Sequence, residues 1–289
     1  MKNFAKTKLL TSMFIFGTIG ILVKNIPLPS SVIALCRGII GSLFLISVTL
    51  LNKRKISTAA VKSNLFWLII SGALVAFNWI FLFESYRYTT VSVATLCYYF
   101  APAIVMVVSP IVLKEKLKAK KAVCVFFSLI GMLFVSGVLN SSVPSLSEFK
   151  GILFGLAAAA VYASIVLAGQ KIRDISSFDK TIFQLSLSAV ILLIYCLLTE
   201  DFSSVSINQT TIILLLIVGI VHTGLGYLLY FGSMDHIKSQ TIAILSYTDP
   251  VVALLLSAII LRESMGIFEI IGAILIIGSA VISEFPKKD

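Results

Sequence analysis

The sequence predicts an all-α integral membrane protein of ten transmembrane helices, arranged as two five-helix repeats of inverted topology. Three observations carry that expectation. The 289 residues are 58% hydrophobic and only 12% charged, with a mean hydropathy of +1.05. A water-soluble domain of this size could not hide so much apolar surface. Ten apolar runs fall near 8–23, 30–51, 65–86, 91–113, 121–139, 150–169, 180–198, 210–231, 239–261 and 266–283, and runs of about 18 or more apolar residues are the length that spans a bilayer. Finally, the stretch 95–115, TLCYYFAPAIVMVVSPIVLKE, returns as 243–263, AILSYTDPVVALLLSAIILRE, at a constant offset of 148 residues.

That register holds without a gap for Tyr99 and Tyr247, Pro102 and Pro250, and Glu115 and Glu263. Upstream it also pairs Trp79 with Tyr227, Phe83 with Phe231 and Ser85 with Ser233. Self-similarity on this scale reads as an internal duplication. The Ser- and Pro-containing linker NSSVPSLS at 140–147 divides the chain into halves at 1–143 and 144–289. Each half has five helices, and an odd number makes the second copy enter the membrane from the opposite side.

Charge placement agrees. With the N-terminus cytoplasmic, 18 of the 23 basic residues fall on inside segments, among them Lys53, Lys62, Lys114, Lys121, Lys171, Lys180 and Lys238. Lys24, Arg87, Lys150 and Arg262 fall outside, and Arg37 lies within a helix. Basic residues near helix ends stay on the cytoplasmic side, so both termini are expected there, in the cytoplasmic membrane. The same bias accounts for the net charge of +10 without nucleic acid as a partner.

Taken in order, the first segment opens on lysines like a signal peptide, but no small-residue cleavage site precedes Lys24, and it is read as a helix. Its Gly17 and Gly20 allow close backbone approach. The second carries Arg37 with Gly38 and Gly41; an intramembrane Arg faces a cavity or partner, or snorkels to the surface. In the third, Trp79, Phe83 and Tyr86 share a face, with Tyr86 placed as an interface-belt residue and Glu84 as an exposed one, with proton carrying as its alternative. Asn78 precedes the Trp. The fourth presents Thr95, Tyr99, Pro102 and Met106 on one face, and Pro102 should kink or break it. The basic loop KEKLKAKK leads to the fifth. The sixth is Ala-rich at 157–160 and suited to close packing. Gln184, Ser186 and Ser188 of the seventh are expected in interhelical hydrogen bonds. The eighth holds His222, Tyr227 and Tyr230. The ninth repeats the break at Pro250, immediately after Tyr247 and Asp249, and the tenth carries Gly272 and Gly278. Cys36, Cys97, Cys124 and Cys196 lie in apolar runs without CxxC spacing and read as small hydrophobes, without disulfides, metal or cofactor.

Broken helices at matching positions of inverted halves mark the substrate sites of secondary transporters. At YRYTTVSVA, followed by Pro102 and Lys114-Glu115, the sequence resembles the EamA family of the drug/metabolite transporter superfamily. Pro250 through Arg262-Glu263 is similar to the matching second-half signature, and Arg37 to that family's helix-2 Arg. The resemblance covers nearly the whole chain and implies ten helices in two inverted halves, a central cavity lined by helices 3, 4, 8 and 9, and alternating access, often for export of amino acids or related metabolites. Strict symmetry is broken, because Ala101 stands opposite Asp249 and no Arg pairs with Arg37.

Asp249 leads the expected substrate-binding set. A mid-helix carboxylate must be paired, hydrated or protonated, so it could hold a substrate ammonium or carry a proton, or else cap groups freed by Pro250. His222 is the second proton-coupling candidate, with a plain interhelical hydrogen bond as its alternative. Trp79, Tyr98, Tyr99, Tyr227 and Tyr247 would wall the site for an aromatic or cationic solute, joined by Asn78, Thr95 and Arg37; ordinary packing would also explain each. Glu115 and Glu263 read as topology or capping groups.

An enzyme is not expected. A metalloprotease needs HExxH, and the two histidines, His222 and His236, are fourteen residues apart. A GxSG serine motif fails at 69–72, where Ile69 and Ile70 precede Ser71-Gly72. The reading is a secondary carrier exporting an amino acid or related amine, with one chain able to enclose its own pathway as a monomer. The alternatives are an uptake carrier for a quaternary amine or other metabolite, a channel, or a non-transporting scaffold.

Overall fold

A computed structural model of the chain describes residues 2–89, 91–135, 146–202, 207–260 and 266–284. Every regular element among them is a helix. They run α1 Lys2–Val23, α2 Ser30–Leu51, α3 Thr58–Tyr88, α4 Val91–Tyr98, α5 Ala101–Val112, α6 Ala119–Val135, α7 Leu146–Gly169 and α8 Ser177–Thr199. Then follow α9 Gln209–Ile217, a π-helical turn π1 Val218–Leu225, α10 Gly226–Ser233, α11 Ser239–Ser246, α12 Thr248–Ile260 and α13 Ile267–Glu284. Eight helical stretches among the described residues are long and apolar enough to cross a membrane. Their outward side chains are those lipid accepts and water does not: Leu51, Leu198 and Ile111 are 78–83% exposed.

Local sequence sets three of the helix starts. Ser57, Ser176 and Asn208 each accept a backbone N–H three residues on with their side chains, at 3.3, 3.0 and 2.8 Å, supplying caps for α3, α8 and α9. The Ser57 cap lets α3 begin at Thr58, seven residues before the apolar run from which the helix is expected. The fourth and ninth expected segments are each two helices, interrupted at Tyr99–Phe100 and at Tyr247. Pro102 stands second in α5 and Pro250 third in α12, where a missing N–H costs nothing. The eighth segment is three pieces around π1, for which the sequence offers no local signal.

α3 packs on α7 and α8, while α1 packs on α10 and α12. α2 lies against α8 and π1, α5 against α11, and α6 against α13. Close approaches are made by small residues. Ala158 and Ala159 of α7 are fully buried, and Gln184 Nε2 donates to Ser71 Oγ at 2.6 Å. Ser188 instead bonds its own helix, at Leu185 O. Gly17 serves as expected, since a Cβ there would lie 2.7 Å from Asp249 O. Gly20 and Gly278 have no such neighbour within 4 Å. The boundary between the proposed halves, the 140–145 part of the linker and Arg262-Glu263 lie outside the described residues.

The α6–α13 contact depends on two glycines. A Cβ on Gly131 would stand 2.7 Å from Gly272 O and 2.8 Å from Ile276 Cγ1, so a side chain must force the helices apart. Overpacking of this kind costs about 1–3 kcal/mol. Gly131→Val is therefore expected to lower the melting temperature and the monodisperse yield in detergent. Gly278→Val, at a position with open space, is expected to change neither.

Candidate functional site

The two helix breaks meet. Tyr247 is fully buried, and its hydroxyl donates to the Tyr99 carbonyl at 2.9 Å, with the two rings 6.3 Å apart. A carbonyl at the first break thus finds a partner inside protein, which is what irregular backbone at membrane depth requires. Tyr99 in turn donates its own hydroxyl to Asp249 Oδ2 at 3.1 Å. Asp249 sits in the first turn of α12, where the helix dipole favours an anion. One sequence pattern, Tyr three residues ahead of Pro, therefore builds both a scaffold contact and a supported carboxylate.

A cationic wall comes from α2. Arg37 Nε donates to Thr223 Oγ1 of π1 at 3.0 Å, and the guanidinium lies 5.0 Å from the Trp79 ring centroid, within cation–π range. Trp79 Nε1 donates to Tyr227 OH at 3.0 Å. Asn78 is held by its amide, which donates to Ala158 O at 2.8 Å. Among the described residues, no ion pair joins Arg37 to Asp249; each has a different neutral partner.

These walls enclose a cavity of about 380 Å³, in the range of small-molecule sites. Asp249, Tyr99, Trp79, Asn78, Tyr227, Thr95, Arg37 and Pro102 all line it, as does Tyr98. Tyr247 does not: it supports the site from behind. Nor does His222, which is buried against α1 with Nε2 2.7 Å from Thr18 Oγ1 and Nδ1 unpartnered. Pro250 stays in the packing.

Several lining residues escape sequence reading. Tyr162 and Tyr230 face the cavity with their hydroxyls 2.7 Å apart, and Phe16 and Ser246 complete the wall. Tyr86 lines it too, contrary to the belt expectation, because the cavity extends toward the end where α1 and α3 finish. Tyr230 had a usable signal, since it stands three residues after Tyr227 and so shares its helical face; both line the cavity. A lone Tyr162 in an Ala-rich helix gave none.

Both ends of the bundle carry polar ties. Where α3 ends, Glu84 is paired with Arg87 at 3.0 Å and accepts from Tyr195, so it is not the exposed group expected. Arg87 also pairs with Glu200, which accepts from Ser31 at 2.7 Å. At the opposite end Lys180, counted from sequence as a loop cation, is fully buried and paired with Asp235 at 3.2 Å. There Lys121 donates to Thr241 at 2.6 Å, and Glu115 accepts from the Ser239 amide and hydroxyl at 3.3 and 3.0 Å, a capping role for α11.

A lipid-facing helical bundle around a metabolite-sized cavity, walled by aromatics and bearing one charge of each sign, defines a multi-pass membrane transport protein rather than an enzyme. The chain belongs to the EamA-like transporter family, whose profile matches residues 5–137 and again 149–284. Among its relatives, the Uncharacterized transporter YxxF of Bacillus subtilis (strain 168) is 27% identical over 99% of this chain and 91% of its own length. A Probable amino-acid metabolite efflux pump of Salmonella typhimurium (strain LT2) is 29% identical over 62% of both chains. A solved crystal structure superposes with a TM-score of 0.86 over 97% of each chain at 17% identity, a likeness of fold alone.

Proposed function

We propose that this protein is a secondary carrier that exports a zwitterionic, amino-acid-like metabolite from the cytoplasm by alternating access. One observation carries the substrate class. Asp249 and Arg37 line the same aromatic cavity without neutralising each other, an arrangement complementary to a solute bearing both an ammonium and a carboxylate. A quaternary amine would use Asp249 and the aromatic rings but would leave Arg37 repelling it. Export is supported by the name of the Salmonella relative, and orientation by the basic bias of the inside loops.

The ten-helix, two-half arrangement with a boundary near 143–144 is supported by reciprocal packing. α1 on α10 and α12 mirrors α7 on α3 and α5, while α2–α8 and α6–α13 map onto themselves. Trp79 with Tyr227, and Tyr99 with Tyr247, are contacts between positions 148 residues apart, as expected for residues beside a two-fold axis. The cavity approaches the proposed outer side while Lys180, Asp235 and their neighbours tie the cytoplasmic side. We read this as an outward-facing arrangement, with one chain enclosing the pathway as a monomeric carrier would need.

The test is counterflow in proteoliposomes with phenylalanine, phenethylamine and phenylpropionate as probes. Saturable phenylalanine transport is expected, with each single-charge analogue at least about tenfold weaker, since a hydrogen bond to a charged group contributes roughly 1.5–3 kcal/mol. Equal flux of phenethylamine would remove Arg37 from recognition and favour the amine carrier. Flux of none across a wider amino-acid panel would favour a scaffold.

A further inference from the structure

We propose that Thr223, presented by the π-helical turn, is the positioning residue that aims Arg37 at the carboxylate of the transported solute. The inference rests on the zwitterion reading of the cavity and adds a residue outside its lining. π-turns are rare and recur at functional sites, and here the turn has a specific product. Thr223 Oγ1 donates to Val218 O, five residues back, at 3.1 Å. A hydroxyl has a single proton, so that bond leaves only acceptor capacity, and Arg37 Nε fills it at 3.0 Å. The turn therefore fixes the polarity of the contact as well as its place.

Packing fixes the approach. A Cβ on Gly41 would lie 3.0 Å from Thr223 Cγ2 and 3.1 Å from Gly219 O, and one on Gly219 would lie 2.5 Å from Ile40 Cβ. Small residues on both elements thus let α2 lie against π1 closely enough for the Arg37 stem to reach Thr223. Thr223 itself is fully buried. With Nε engaged and the guanidinium stacked over Trp79, the two terminal nitrogens remain for the cavity, since no other group among the described residues accepts from Arg37. Two parallel N–H groups of a planar fork match a carboxylate. Thr223 holds that fork in one orientation.

Trp67 and Trp79 are the two tryptophans of the chain, so a Trp67→Phe background makes Trp79 the sole reporter of the guanidinium above it. In that background Thr223→Val is expected to shift Trp79 emission as Arg37→Gln does, and Thr223→Ser to leave it at the parental value. In transport, Thr223→Val should raise the phenylalanine KM about tenfold, with kcat and phenethylamine flux little changed and Thr223→Ser within about twofold. A purely structural role would depress both probes alike. Thr223→Val with parental emission, beside a shifted Arg37→Gln, overturns the positioning role. So does Arg37→Gln with parental emission. If emission behaves as expected but Arg37→Gln leaves the phenylalanine KM unchanged, the zwitterion reading fails and the aiming of Arg37 at a carboxylate fails with it.

Discussion

Asp249→Asn is expected to reduce transport by about a hundredfold or more while leaving the melting temperature of the purified protein unchanged. The substitution keeps the shape and one acceptor oxygen, so Tyr99 can still donate as it does at 3.1 Å, and the contact between the two helix breaks runs through Tyr247 and a backbone carbonyl instead. What disappears is the negative charge. A single hydrogen bond to a charged partner is worth about 1.5–3 kcal/mol, roughly tenfold to a hundredfold in affinity, and the Coulomb attraction is strengthened where water is scarce. Proteoliposome counterflow of phenylalanine at two pH values measures it. Wild-type flux with unchanged pH dependence in the variant would remove Asp249 from the mechanism. Lost flux in Asp249→Asn with pH dependence surviving in residual transport would instead place the proton on His222, whose Nδ1 is buried without a partner.

The residues that could be read from sequence are those whose presence in a membrane helix costs energy. Asp249 and Arg37 stand out because a charge inside an apolar run needs a reason, and Pro102 and Pro250 because they repeat at one offset. Thr223 carries no such cost, since a threonine hydroxyl can bond the backbone of its own helix, and a lone tyrosine such as Tyr162 is ordinary in an apolar helix; only tertiary packing decides which face they present. Thr223 depends moreover on a π-turn, which shifts the face of every later residue in its segment. Tyr86 and Glu84 failed for a related reason. Their places near a helix end fit an interface or solvent equally well, whereas the fold brings Tyr195 and Arg87 onto Glu84 and opens the cavity beside Tyr86. The proposed duplication was legible because it needs only self-comparison; the asymmetry of the candidate site, Asp249 opposite Ala101, was visible only as an exception to it.

Asp235→Ala is expected to destabilise the protein far more than Lys180→Met, although Asp235 is the more exposed partner. Their side chains are 29% and 0% accessible respectively, at 3.2 Å. Removing the carboxylate leaves an ammonium sealed among helices with, among the described residues, only the Gly169 carbonyl, 3.4 Å away, to accept from it. An uncompensated buried charge costs about 3–5 kcal/mol, or roughly 10 °C in melting temperature for a chain of this size. Removing the ammonium instead leaves a carboxylate that water reaches, and methionine refills the stem volume, so the loss should stay near 1 kcal/mol, the scale of an exposed pair. The double variant should resemble Lys180→Met rather than the sum, because the penalty in Asp235→Ala belongs to the stranded charge. Thermal unfolding of the four proteins in one detergent decides it. Equal losses for the two single variants would mean that water reaches Lys180 as readily as Asp235, and the pair would then be an ordinary surface contact rather than a buried tie between the α8 and α10 ends of the bundle.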